Sequence, residues 1–218
     1  MKRWILFLFG LVLLSCQKKT QEELFVERAA QVYDLYDEEG NLVSYEEAMA
    51  RFHNYAKSYN ERGVSKFKEQ LYGQALDDFT IALKYDKNYA IAYSNRGYVH
   101  AKRKEYVEAL ADLNKAIKLN PNYAKAYQHR AWVKQKLGYP LEAVKDASRA
   151  LKITPRNGEL YLLRAANHYH LGNNLEAFTD ALIARRLKTN NAKQLLDRIA
   201  TEHPEVPKAI FSTSQRGQ

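Results

Sequence analysis

The chain is short of the residue groupings that carry covalent or metal chemistry. It has one cysteine in 218 residues, Cys16, so no intramolecular disulfide can form and no structural thiol competes with whatever role Cys16 has. There is no glycine-rich phosphate loop, no Gly-x-Ser-x-Gly turn and no cysteine nucleophile with a histidine partner. Of the six histidines, His168 and His170 stand two apart. On a helix they diverge by roughly 200° and cannot share an ion as an i, i+4 pair would. The uncharged run from Trp4 to Ser15 is twelve residues long, shorter than the ~20 a bilayer-crossing helix needs. No catalytic residue, metal or cofactor is expected, and the chain is not read as an enzyme.

What is present is a period. Tyr59, Tyr93, Tyr127 and Tyr161 lie 34 apart, as do Arg62, Arg96, Arg130 and Arg164. The same spacing relates Ala75, Ala109, Ala143 and Ala177; Asp78, Asp112, Asp146 and Asp180; and Ala82, Ala116, Ala150 and Ala184. A repeat of this length marks a solenoid whose units stack to bury a shared core. Small residues at Gly63, Gly97, Ala131 and Ala165 let two helix backbones approach, and the large tyrosine fills space against a neighbour. Gly138 and Gly172 fall at the turn between two helices, where a positive φ costs glycine little. Pro121 and Pro155 follow the second helix, where a missing N–H does no harm, while Lys87 and Thr189 replace them in the first and last units.

Tyr93, Gly97, Tyr106, Ala109, Leu113, Ala116 and Pro121 together resemble the tetratricopeptide repeat, a helix–turn–helix of 34 residues. The resemblance covers four units, 56–89, 90–123, 124–157 and 158–191, which make 136 of the 218 residues. It implies an all-α, right-handed superhelical solenoid that binds proteins rather than transforms substrates. His100 and His168 occupy one repeat position and read as satisfied interior histidines, and Asp77-Asp78 sits in repeat packing. Each unit carries Arg and, sixteen residues later, Asp. Two solvated charges or a repeated ion pair along a partly buried seam both fit that spacing; a guanidinium–carboxylate fork suits the seam.

The flanks differ from the repeats. Residues 1–15 combine Lys2 and Arg3 with the uncharged run and read as a secretory signal. Leu13-Leu14-Ser15-Cys16 resembles a bacterial lipobox, although Leu14 is bulkier than its usual occupant. That resemblance implies cleavage before Cys16 and its lipidation (palmitate included), hence a membrane anchor in the cell envelope. Gln17 in place of aspartate implies the outer membrane under Gram-negative sorting rules, with its periplasmic or surface face open. Residues 16–43 form an acidic tether and an N-terminal helix over Glu22–Tyr36 with Leu24, Phe25, Ala29 and Val32 on one side. Residues 44–55 form a capping helix that runs into the repeats, opened by Ser44 and Glu47 as a capping box. Residues 192–203 carry Leu195, Leu196 and Ile199 at helical spacing and cover the last unit; 204–218 are expected without order.

In relatives of this kind the first helix of each unit lines a concave groove. The resemblance puts Asn60, Asn95, Tyr98, Lys102, Lys125, Gln128, His129, Trp132 and Lys136 there, with Ser94, Lys57, Lys68, Tyr169 and His170 nearby. Tyr98 and Trp132 among lysines and amides suit a protein or peptide with acidic groups; packing between neighbouring helices would also account for both rings. Asn95 and Lys125 match two positions of a carboxylate clamp known in the family, whereas Asn60, Val64 and His129 depart from it.

Charge divides the same way. Residues 17–55 hold four basic and nine acidic residues; 56–218 hold 28 and 16. An acidic segment and a basic groove on one chain also permit self-masking. The pI of 9.4 and Lys102-Arg103-Lys104 raise nucleic acid as a rival partner. An exported lipoprotein rarely meets one, so none is expected. The resulting expectation is an adaptor of the bacterial envelope. A surface lipoprotein that binds host or environmental macromolecules is the alternative, and oligomeric state is left open.

Overall fold

In the computed structural model residues 19–214 are described. The lipidation expected at Cys16 and the signal before it lie outside them. The chain divides into two compact units, residues up to Tyr55 and residues from Ala56 on.

In the first unit, helix α1 (Gln21–Ala30) opens with a reciprocal cap. Thr20 Oγ1 accepts from the Glu23 amide at 3.1 Å, and Glu23 Oε2 accepts from the Thr20 amide at 2.8 Å. The sequence carries the helix on to Tyr36, but it ends six residues earlier. Leaving the helix lets Leu35 bury completely and Tyr36 bridge to Leu42 around Gly40, whose φ is +83°. Arg51 fixes that loop by donating to the carbonyls of Asp34 and Tyr36, both at 3.1 Å. Helix α2 (Tyr45–Lys68) starts where Ser44 Oγ accepts from the Glu47 amide, and it continues through the boundary into the second unit.

From Ala56 the chain is a stack of antiparallel helix pairs. The end of α2 pairs with α3 (Tyr72–Tyr85), α4 (Ala90–Lys102) with α5 (Tyr106–Leu119), and α6 (Ala124–Lys136) with α7 (Pro140–Ile153). α8 (Gly158–His170) pairs with α9 (Asn174–Arg186). Each turn between partners closes on one residue of positive φ: Gln70, Lys104, Gly138 and Gly172, again 34 apart. At the second turn Glu105 N bonds the carbonyl of His100 and Lys104 N that of Ala101, the paired bonds of a Schellman ending. Glycine therefore marks only half of these turns; Gln70 and Lys104 hold the same backbone as L residues, at a cost of roughly 1 kcal/mol.

Both alanine columns are fully buried, and Ala82 and Ala150 also cluster with the next unit, at Ala92 and Leu160. At Gly97 a Cβ would stand 3.0 Å from the Ala109 carbonyl oxygen and 3.0 Å from Leu113 Cγ, so the α4–α5 crossing admits only the smallest residue without a shift.

The Arg and Asp columns meet as two-point forks in every unit. Arg96 Nε and Nη2 donate to Asp112 at 2.7 and 2.8 Å, and Arg130–Asp146 and Arg164–Asp180 repeat this within 0.1 Å. The remaining guanidinium nitrogen reaches the second helix of the preceding unit: Arg96 to Thr80 at 3.2 Å, Arg130 to Asn114 at 2.7 Å, Arg164 to Ser148 at 3.1 Å. Each guanidinium lies beside the tyrosine three residues before it, at 5.6–5.7 Å in these units. Arg62 also grips Asp78, and its side chain is 57% exposed against 22% for Arg96.

Beyond α9 the period persists. Helix α10 (Ala192–Glu202) begins 34 residues after α8 and carries Arg198, 34 after Arg164. Leu196 and Ile199 close the apolar end of the fourth unit against Ala177, Phe178 and Ala181. The sequence expects no order after 203. Instead α11 (Glu205–Ser214) forms, because Pro207 falls in its first turn, where no intrahelical N–H is needed, and Val206 joins the same cluster.

Two measurements check this frame. A double-mutant cycle at Arg96 and Asp112 by urea denaturation is expected to give a coupling of about 1–3 kcal/mol, larger than that at Arg62 and Asp78. Lys104→Gly is expected to stabilise the chain by about 1 kcal/mol, and a loss of stability would contradict the turn geometry.

Candidate functional site

The inward faces of the first helices form a groove of about 940 Å³. It is bordered by Tyr98 of α4, by Lys125, Gln128, His129 and Trp132 of α6, and by Glu159, Leu162 and Ala166 of α8. Five of the positions named from sequence therefore converge. Two more reach the same place through Trp132: Lys102 Nζ lies 5.0 Å from its ring and 5.2 Å from the Tyr98 ring, and Lys136 Nζ lies 5.7 Å from Trp132. Trp132 serves both roles foreseen for it. It packs on the Ala101, Leu113 and Val133 cluster and still presents surface to the groove.

The floor is a fixed polar–aromatic network. His129 stacks on Tyr98 at 4.3 Å with an interplanar angle of 14°, and its Nδ1 lies 3.2 Å from Ser94 Oγ. Burial, with Lys125 and then Lys102 adding repulsion, lowers the His129 pKa to about 3. At neutral pH this ring is an uncharged wall of the groove and no anion receptor.

The remaining two positions do not join the groove. Asn95 Nδ2 donates to Asn60 Oδ1 at 2.9 Å, and Asn60 is buried. This amide pair and neutral His129 occupy places where a carboxylate clamp needs free donors and a cation, and of the two matching positions it is Lys125 that borders the groove. At the far end Tyr169 is already engaged: its hydroxyl donates to Glu202, and Arg198 lies 5.2 Å over its ring. That hydroxyl, with Arg198, holds the Glu202 carboxyl below its ordinary pKa.

Sequence reasoning missed the loops that wall the groove. Arg156 and Asn157 enter from the turn before α8, and Leu187 to Asn191 from the turn after α9. Here Thr189 stands where Pro121 and Pro155 stand, Lys188 takes a φ of +60° and Thr189 N bonds the Ala184 carbonyl, so the chain crosses close to Gly158; Lys87 also replaces that proline, without a positive φ beside it. The Thr-for-Pro change was visible; its direction of travel was not. Gln128 Nε2 also donates to Glu159 Oε2 at 3.2 Å.

His100 Nδ1 pairs with Glu105 at 2.7 Å and His168 Nδ1 with Asn173 at 3.4 Å, each serving the following turn. Among the described residues no three His, Cys, Asp or Glu side chains are grouped to hold a metal ion, and no helix is long and apolar enough to cross a membrane.

Comparison with known proteins agrees with this geometry. Two family models, both described as tetratricopeptide repeat, match residues 90–123 and 124–157. Among solved structures, the first such domain of Spaghetti (RPAP3) is 29% identical, with a TM-score of 0.53 over 55% of this chain and 94% of that one. The first such domain of human RPAP3 is also 29% identical, with a TM-score of 0.54 over 56% and 95%. The MamA protein shares the fold at 16% identity, with a TM-score of 0.61 over 73% and 88%. No curated protein matches the chain.

His129 generates a pH prediction. Its folded pKa lies below the unfolded value of 6.5, so the unfolded chain binds the extra proton and stability falls as pH drops from 6.5 toward 3. Between pH 7 and 5 this group should cost about 2 kcal/mol. Denaturant titrations should show that increment in the native protein and lose it in His129→Phe.

Proposed function

We propose that this tetratricopeptide-repeat chain is a non-catalytic adaptor of the bacterial cell envelope, holding an acidic protein or peptide segment in the groove of its second to fourth repeats. Domains built from these repeats generally mediate protein–protein contacts. The Spaghetti (RPAP3) domain is bound to the HSP90 peptide SRMEEVD, a segment with three carboxylate side chains.

One observation carries the reading. Lys102, Lys125 and Lys136 gather around the aromatic floor, and none of them forms an ion pair with a described carboxylate. The arginines of the four forks, by contrast, each carry an aspartate of their own repeat. Cations left unpaired beside exposed aromatic surface favour a partner that brings carboxylates and apolar area together. The membrane tether rests on the sequence of residues 1–16 alone.

A blocked, fluorescein-labelled dodecapeptide rich in glutamate and leucine is expected to bind in an anisotropy titration, and its lysine counterpart is not. Joint replacement Lys125→Ala and Trp132→Ala should weaken binding at least tenfold, about 1.4 kcal/mol. Equal affinity of the two peptides would remove the groove as an acidic-client site. For the tether, expression of Cys16→Ser should move the protein from the detergent phase to the aqueous phase; an unchanged partition would exclude lipidation there.

A further inference from the structure

A second cavity of about 470 Å³ adjoins the groove at the edge of the third and fourth repeats. The two share Lys125, Gln128, Asn157 and Glu159. The floor of the smaller one is apolar: Tyr123 and Ala124 at the start of α6 and Ile153 at the end of α7. Between them stands the Gln128–Glu159 hydrogen bond, 3.2 Å long and exposed.

That partition has the donor and acceptor of a peptide unit in reverse. Gln128 supplies an N–H that a backbone carbonyl can accept, and Glu159 supplies an oxygen to which a backbone N–H can donate. A peptide crossing from groove to edge would exchange one side-chain bond for two of its own. Among the described residues Glu159 is also the one carboxylate that borders either cavity, among lysines and Arg156. A ligand carboxylate is therefore repelled at the partition and drawn back toward Trp132, which leaves the smaller cavity to an uncharged side chain.

We propose that the edge cavity is a subsite for one aliphatic side chain of the client, so that the groove reads a two-part motif: carboxylates beside Lys102 and Lys136, and a leucine-sized residue at a fixed distance beyond Gln128 and Glu159. The proposal rests on the acidic-client reading and specifies its partner. The cavity shares four bordering residues with the groove, and a segment that exchanges the Gln128–Glu159 bond for its own backbone N–H and C=O is extended there, since a helix would already have spent those groups.

The test uses the full chain and blocked decapeptides with three consecutive glutamates and a single leucine or serine two to five residues away on either side. At one spacing the leucine peptide should bind at least tenfold tighter than its serine counterpart. Ile153→Ser should abolish that preference while leaving affinity for the serine peptide within twofold, which also certifies the fold. Asn122→Trp, which obstructs the same cavity from an exposed loop, should do likewise. Equal binding of leucine and serine peptides at every spacing overturns the subsite and leaves the acidic groove standing. Failure of all the peptides to bind overturns both.

Discussion

The structure depends on one repeated interaction, the two-point fork between an arginine on the first helix of a repeat and an aspartate on its second. Alanine columns bring the helices close, but close packing of small residues is permissive about sliding. The fork is not. Its two parallel bonds fix distance and orientation together, and the third nitrogen of the guanidinium carries the same alignment to the repeat before it. A buried carboxylate at each fork would be costly alone, so the arginine, the tyrosine beside it and the neighbouring hydroxyl or amide form a unit that stands or falls as one.

This division of labour explains the groove. Electrostatic pairing is concentrated on the side where the two helices of a repeat meet. The inward face of each first helix carries no fork, and Lys102, Lys125 and Lys136 there form no ion pair with a described carboxylate. Two exceptions mark the ends of the usable surface. At the start the Asn60–Asn95 and Ser94–His129 contacts close the wall, and at the finish Glu202 and Arg198 occupy Tyr169. What remains open is the stretch from Tyr98 to the turn after α9.

Much of the frame could be read from residues alone, because a column such as Arg62, Arg96, Arg130 and Arg164 reports a geometry that recurs. The buried alanines follow from spacing, the forks are one of the two readings that spacing left open, and the residues gathered around Trp132 are those the resemblance implied. Features that occur once were hidden. Nothing at Gln70 or Lys104 announces a left-handed backbone, since there tertiary context overrides local preference. Val32 and Leu35 look alike as helix-face residues, yet only Leu35 is buried, and this ended α1 early. From sequence, residues 204–218 are expected without order, although Pro207 sits harmlessly in the first turn of a helix. Asn60 and Asn95 matched groove positions by number, but their side chains found each other first.

The fifth arginine has a consequence for how such an array grows. Arg198 keeps the column, but the residue 34 beyond Asp180 is Ser214, and the one sixteen before Arg198 is Leu182, which offers no oxygen. Both anchors of the earlier forks are missing, so Arg198 turns back along its own helix to Glu202. A copy of this hairpin would bring no fork of its own, so an array that grows by duplication keeps its pinned alignment only when the copied units come from the four before it.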